Sequence, residues 1–471
     1  MKNRIDIKYY GFIYILILML TGSISMINTY VSFAISAIIA VIIGISGTKD
    51  INVSIPKGLV TLLLFQNLCI GIGAHMFGNT NENLKFVTQI PFLTIGIIFI
   101  VLLYSKKINN RKDQKIFFCL LCTCIVLSFF IGRGSLQAIL INLRNMLTFY
   151  FAYSIGRASL KSKDQLDSFI KYIHFLSIII LIFGIILLVG GYKFYKVIGI
   201  KEVYIAKGSP IIGERLDSRF KTTILVNQYT RMGSILYEPV NLAYFYSLCV
   251  LIAIYYRYQN QIKSKIIYKI TSIIGLILTF GKGGYLITLS IILLTTLTKL
   301  IYSINKKISI HKAMKLSGVI GVALIIIFCV YYYTNIGGAA NPHFWGILKT
   351  WQSILNKPIG YGLGTGGNMS AKFNGMNFND LLSTGGETAF MSFMYQLGIQ
   401  GAIFLALCVL SLKPKAEKTD KLKLSEIYLY FIPIIILGIS FLQDNTFSPQ
   451  CIVPYMLFLG GSSNIFEKKG D

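Results

Sequence analysis

A chain of 471 residues that is 54% hydrophobic and only 13% charged, with a mean hydropathy of +0.66, carries too little charge to cover a soluble domain of its size. A net charge of +27 would point to nucleic acid in a soluble protein, but in a chain this apolar it is first set against the tendency of membrane proteins to keep Lys and Arg on the cytoplasmic side. The apolar runs are continuous rather than alternating in twos, which excludes a transmembrane β-barrel.

Runs of about 18 or more apolar residues, each able to cross ~30 Å of hydrocarbon, recur along the whole chain. They predict an all-α, polytopic helical membrane protein, a single integral membrane domain over 1–471. About fourteen transmembrane helices are expected, at roughly 9–27, 29–46, 57–77, 84–105, 116–132, 135–156, 170–190, 233–256, 265–280, 284–302, 314–333, 387–411, 426–442 and 450–464. The first run, Tyr9 to Met26, lacks a small-residue cleavage site and reads as a retained helix.

Alternate connections are short and basic. They hold Lys2, Arg4 and Lys8; Lys49 and Lys57; Lys106 to Lys115; Arg157 to Lys171; Arg257 to Lys269; Lys299 to Lys315; Lys413 to Lys423; and Lys468 with Lys469. With fourteen spans all of these fall on one side, so that side is cytoplasmic and both termini lie there. The eight cysteines sit in apolar runs, and the spacing of Cys119, Cys122 and Cys124 reads as packing because no His or acid accompanies it.

Two outward connections are long, at about 191–232 and 334–386, and loops of that length are usually functional. The first is rich in Lys and Arg against only Glu202, Glu214 and Asp217. Outward positive charge opposes the orientation rule, so it points to an anionic partner on that face, or to solvated charges in a loop long enough to escape the rule.

Four stretches carry candidate chemistry. Arg144, in INLRNMLTFYF, lies nine residues into a span that starts at the outer face, about 13 Å deep at 1.5 Å per residue. A guanidinium there faces a polar cavity or an anionic partner, or snorkels to the surface. In RMGSILYEPVNLAYF, Arg231 is placed at the water boundary and Glu238 and Asn241 one and a half to two turns inside the next helix, where Pro239 opens the backbone. Arg grips phosphate bidentately, and a structural Arg231–Glu238 pair is the plainer alternative.

Lys282, in LTFGKGGYLITL, occupies a tight outer turn whose spacing is not that of a nucleotide-binding loop. The last stretch runs from Asn341 to Gly398. Behind Pro342, Phe344, Ile347, Leu348, Trp351, Ile354 and Leu355 recur at helical spacing, as in a helix that lies in the interface or covers a cavity. The glycines at 360, 362, 364, 366 and 367 form either a nest of amides for an anion or a flexible loop that lets this lid move. Glu387 opens the following span as a candidate general base, with His343 as its rival. No outward cluster of Asp, His or Cys has metal-site spacing, so metal-independent chemistry is expected.

At these residues the chain resembles the O-antigen polymerase and O-antigen ligase superfamily of bacterial membrane glycosyltransferases. The likeness rests on Arg231 before the Gly233–Ala243 segment with its Glu238-Pro239 and Asn241, the turn from Thr279 to Gly283, the glycine loop from Pro358 to Gly364, and the helix from Glu387 to Gly401 with its Leu397-Gly398. It covers about 230–405 by motif and the whole chain by topology. The resemblance implies a saccharide on undecaprenyl diphosphate as donor at the outer face of the bacterial cytoplasmic membrane, with no cofactor. Arg144 and Arg231 would hold the diphosphate and stabilise its developing charge, and Glu387 would orient or deprotonate the acceptor hydroxyl. Arg219, Glu238, Asn241, Lys282 and His343 are the further substrate-binding candidates.

Lys282 stands where the family often has Arg, and Glu387 where ligases typically carry a His. The second departure favours a polymerase over a ligase. The polymer would be O-antigen, capsule or exopolysaccharide, with membrane lipid, a chain-length regulator and a flippase as partners and no nucleic acid. A lipid-linked oligosaccharide flippase is the competing class, but flippases work through repeated halves, and no repeat is evident here.

Overall fold

The computed structural model describes residues 53–76, 88–105, 108, 112–132, 134–207, 219–224, 227–256, 265–305, 308–335, 342–374, 382–414 and 427–468. The expected spans at 9–27 and 29–46 lie outside them. The described residues are mostly helical. Helices α1 (Ser54–Met76), α2 (Ile90–Tyr104), α3 (Lys112–Phe130), α4 (Leu136–Ser159) and α5 (Lys163–Val197) come first. A short α6 (Ile200–Ala206), a hairpin of β1 (Lys221–Ile224) and β2 (Asn227–Thr230), and a 3-10 turn η1 (Ser234–Leu236) lead to α7 (Pro239–Tyr255). Then follow α8 (Lys265–Thr279), α9 (Lys282–Ile304), α10 (Ile310–Asn335), α11 (Pro342–Asn356), α12 (Gly367–Asn374), α13 (Ala389–Ser411), α14 (Ile427–Ser440), the 3-10 turn η2 (Asp444–Phe447) and α15 (Pro449–Lys468).

Four of these helices are long and apolar enough to cross a membrane: Ser54–Gly73 within α1, and α5, α9 and α13. Others, among them α2, α7 and α14, are apolar but shorter, so the described residues hold fewer full-length spans than the apolar runs predict. Part of some runs is spent on non-α backbone. The run expected at 233–256 opens on η1 and a left-handed Tyr237 before Pro239 starts the helix. Glu238 is therefore the N-cap residue and Asn241 sits in the first turn, not one and a half to two turns inside. The cause is Pro239, which disfavours helical geometry in the residue before it.

The expected outer loop at 191–232 also has more structure than a loop. Helix α5 runs 35 residues, through a break at Gly191, to Val197, and β1 and β2 pair antiparallel from Lys221 opposite Thr230 to Ile224 opposite Asn227. The β-branched Thr222, Thr223 and Ile224 suit a strand, which makes this hairpin the one departure from all-helical structure among the described residues.

Helix α7 forms the centre, buried along nearly its whole length and packed by α8, α9 and α15. Helix α15 lies along α4 at very close range. A Cβ on Gly156 would overlap the backbone oxygen of Leu457, and one on Gly460 would overlap that of Tyr153. Small residues let two backbones meet in this way where lipid offers no hydrophobic drive. Gly156→Val is expected to separate the pair, and loss of the monodisperse detergent-solubilised peak in size-exclusion chromatography would register it. The outer faces of α5 and α8 expose Phe183, Ile186, Val189, Ile266, Ile270 and Ile273, as lipid-facing helices do.

One end of the bundle gathers basic connections. Lys57 Nζ donates to Ser168 Oγ (2.7 Å), Tyr256 donates to Asp167 (2.5 Å), and Asn464 Nδ2 donates to the Leu160 carbonyl (3.2 Å). The start of α1, the α4–α5 connection and the ends of α7 and α15 thus share that end, with Arg157, Lys161 and Lys163 nearby in the chain. The described parts of other connections, 134–135, 227–238, 280–281, 357–374, 382–388 and 441–449, meet at the opposite end, where the Ser135 amide donates to Asn374 Oδ1, the Met232 amide to Leu278 O and the Ala389 amide to Gln443 O.

Candidate functional site

Arg231 and Arg219 stand at the two feet of the hairpin. The Arg231 amide donates to the Phe220 carbonyl (2.6 Å), and its Nη2 donates to the Arg219 carbonyl. Arg219 Nη1 donates to Glu238 Oε1 at 3.0 Å, and its guanidinium lies 5.1 Å from the centre of the Tyr204 ring. Burial works against the Arg219 charge, but Glu238 and Tyr204 outweigh it and raise its pKa. Arg231 is the less satisfied of the two. Burial lowers its pKa, with Glu238 and Tyr204 opposing and Arg219 adding repulsion. Its Nε is buried with no hydrogen-bond partner. A buried donor left open in this way calls for a ligand or another explanation.

The backbone around Arg231 is strained. Among the described residues the non-glycine positions with positive φ are Ser234 (47°), Tyr237 (56°) and Phe280 (45°). The first two follow Arg231 in the chain. The third stacks on Tyr229 of β2 (5.3 Å), and Leu278 beside it accepts from the Met232 amide (2.8 Å). Such conformations cost about 1–3 kcal/mol each and collect where a site over-determines the chain.

The glycine loop does not form an open nest. The amides of Gly360, Tyr361, Gly362, Gly364 and Gly367 donate to Lys357 O, Tyr395 O, Gln396 O, Gln396 Oε1 and Thr384 O at 2.8–2.9 Å. Helix α13 breaks at Gly398 (φ 72°), which frees the carbonyls that the loop takes up, and the Ile399 amide reaches back to Pro358 O (3.0 Å). Tyr361 stacks flat on Tyr395, centroids 4.3 Å apart. The loop is pinned, not flexible, because its glycines serve close backbone approach rather than motion.

Gln396 ties this loop to the rest. Its Nε2 donates to Asn142 Oδ1 (3.0 Å), and Asn142 Nδ2 donates in turn to Ser370 Oγ (3.0 Å). Asn368 Nδ2 donates to Asp444 Oδ2 (2.8 Å), and Asp444 is close enough to Arg219 to favour its charge.

The expected residues do not all share one place. Arg219, Arg231 and Glu238 are in direct contact. Arg144 lies on α4, two residues past Asn142, with Nη1 donating to Gln89 Oε1 and Nε to Asn145 Oδ1 (both 3.3 Å); among the described residues no carboxylate pairs with it. Asn241 is occupied inside the bundle, donating to Gln450 Oε1 (2.9 Å) and accepting from Cys451 Sγ (3.3 Å). Lys282 is the exposed first residue of α9. Glu387 is half-buried in the turn before α13. His343 lies in α11, and its side chain is outside the described residues.

No family model, curated protein or solved structure matches this chain. Its site is thus read from its own residues. Five that matter here, Tyr204, Asn142, Asn368, Gln396 and Asp444, were not singled out from the sequence. The polar Gln443-Asp444-Asn445-Thr446 between two apolar runs was the signal for the last of them.

Proposed function

We propose that the chain polymerises oligosaccharide repeat units carried on undecaprenyl diphosphate, at the outer face of the bacterial cytoplasmic membrane. In this reading fourteen helices span the membrane, both termini are cytoplasmic, and the end with Arg219 and Arg231 faces outward. The clustering of basic connections at the opposite end supports that orientation. One observation carries the chemistry: Arg231 has a buried open donor while Glu238, whose charge favours that of Arg231, is engaged by Arg219. A diphosphate supplies the missing acceptor oxygens and charge.

The acceptor hydroxyl attacks the anomeric carbon, the bond to the lipid diphosphate breaks, and the guanidiniums meet the charge that grows on the leaving oxygen. The hydroxyl proton passes to a base, for which Glu387 is the candidate. No metal is invoked for the leaving group. The reading is tested with the purified full chain and a purified lipid-linked repeat unit in detergent. Longer saccharides and released polyprenyl diphosphate are expected. Absence of both would remove the polymerase reading, and translocation without them would replace it with a flippase. Glu387→Gln keeps the shape and removes the basicity, so kcat is expected to fall by about 10²–10⁴-fold with binding retained. Unchanged turnover would take Glu387 out of the proton transfer.

A further inference from the structure

Helix α11 has two faces of opposite character. Gly346, Thr350 and Ile354 are buried and Ser353 half-buried, at helical spacing. Thr350 Oγ1 donates to Leu382 O (3.4 Å), Ser353 Oγ to Ser383 O (3.2 Å), and Gly346 sits against the Gly385–Gly386 backbone. The other face presents Trp345 (44% exposed), Leu348 (39%), Trp351 (49%) and Leu355 (62%), and Ile359 beyond the helix end continues the line. A lid over a cavity would turn its apolar face inward. Apart from Ile354 and the half-buried Ile347, this helix turns small and polar side chains inward, and it turns four large apolar ones out.

The outward face also continues an apolar surface. The Ile399 amide donates to Pro358 O (3.0 Å) and Gln400 Nε2 to Ile359 O (3.0 Å), so Ile359 adjoins the exposed stripe Ile399, Ile403 and Leu407 of α13, one of the helices able to cross a membrane. At the junction Lys357 is exposed, its ammonium 5.1 Å from the centre of the Tyr361 ring. Trp at the interface and a Lys beside it are what the headgroup layer of a bilayer accommodates.

We propose that α11 is a fixed interfacial anchor, with Trp345, Leu348, Trp351 and Leu355 set about 5–10 Å into the headgroup and upper acyl region of a phospholipid bilayer. Its inner face holds the segment 382–386 immediately before Glu387. The helix therefore fixes the height of that carboxylate against the lipid surface rather than opening and closing over it. This rests on the membrane reading of the chain and not on the polymerase chemistry.

The test is direct because Trp345 and Trp351 are the chain's two tryptophans. The full chain is reconstituted in phosphatidylcholine vesicles brominated either high or low on the acyl chain, as wild type and as Trp345→Phe and Trp351→Phe. A third variant carries Phe183→Trp, on the exposed face of α5, with both native tryptophans changed to Phe. Shallow bromines are expected to quench most of the emission of each α11 tryptophan and deep bromines little of it, with the reverse for Phe183→Trp. Quenching of Phe183→Trp without quenching of either α11 tryptophan would overturn the anchor and leave the membrane reading standing. No quenching at any position would remove both.

Discussion

Arg231→Ala is expected to abolish chain extension while the protein still folds and inserts. The substitution removes a guanidinium whose Nε has no partner and whose Nη2 is anchored on the Arg219 carbonyl. Little else depends on its side chain, so folding loses about one hydrogen bond, on the order of 1 kcal/mol. On the polymerase reading, the transition state would lose a donor for its developing charge, worth about 10²–10³-fold in kcat. Arg231→Lys is expected to recover part of this, since it restores the charge without the two-pronged geometry. Polymer length and polyprenyl diphosphate release, followed together in detergent, check both variants. Normal release by Arg231→Ala would show that the open donor serves packing and not the phosphate.

Gly398→Val is the second large effect, and it acts through the backbone. At φ 72° a branched side chain is strained by about 1–2 kcal/mol, and its Cβ would overlap the Pro358 carbonyl oxygen and the Ile359 backbone. Relief requires either a straightened α13, which withdraws the carbonyls of Tyr395 and Gln396 from the glycine loop, or displacement of the loop. Each route breaks the hydrogen bonds of Tyr361, Gly362 and Ile399. A loss on the order of 3 kcal/mol or more follows, read as a lower unfolding midpoint in detergent together with lost turnover. An unchanged midpoint would mean that the loop and the broken helix do not depend on each other.

The apolar runs located the helices well, because burial and lipid exposure both select long apolar segments. They placed α8 within a residue or two and found α11 as a helix, although Ile347 and Ile354 of its expected apolar stripe turn inward while Leu348, Trp351 and Leu355 stay exposed. Three things were not legible, each for a physical reason. Glu238 was expected inside a helix because apolarity continues from Met232 to Phe245, while local sterics at Tyr237 and Pro239 decide where α7 starts. The glycine loop read as an open nest or a mobile hinge, because sequence shows that its amides exist but not that Tyr395 and Gln396, some 30 residues on, take them. The Arg219–Glu238 pair was hidden because the one partner weighed for Glu238, as the plainer alternative, was Arg231, the Arg nearer in the chain. The hairpin folds Arg219 back to reach the carboxylate and leaves Arg231 the freer of the two.

The length of α5 bears on all of this. Its continuous arm, Lys163 to Gly190, reaches about 40 Å at 1.5 Å per residue, beyond ~30 Å of hydrocarbon, before the helix breaks at Gly191. Below the break the Ile180 carbonyl accepts from Ser234 Oγ (2.7 Å), and above it the Tyr195 hydroxyl accepts from the Gly233 amide (3.1 Å). Gly233 and Ser234, two and three residues after Arg231, are thus pegged to α5 on both sides of its break. In a bilayer, the distance of the arginine pair from the mid-plane would be a dimension of the protein, and the lipid would have to adjust its own thickness to bring a diphosphate to it.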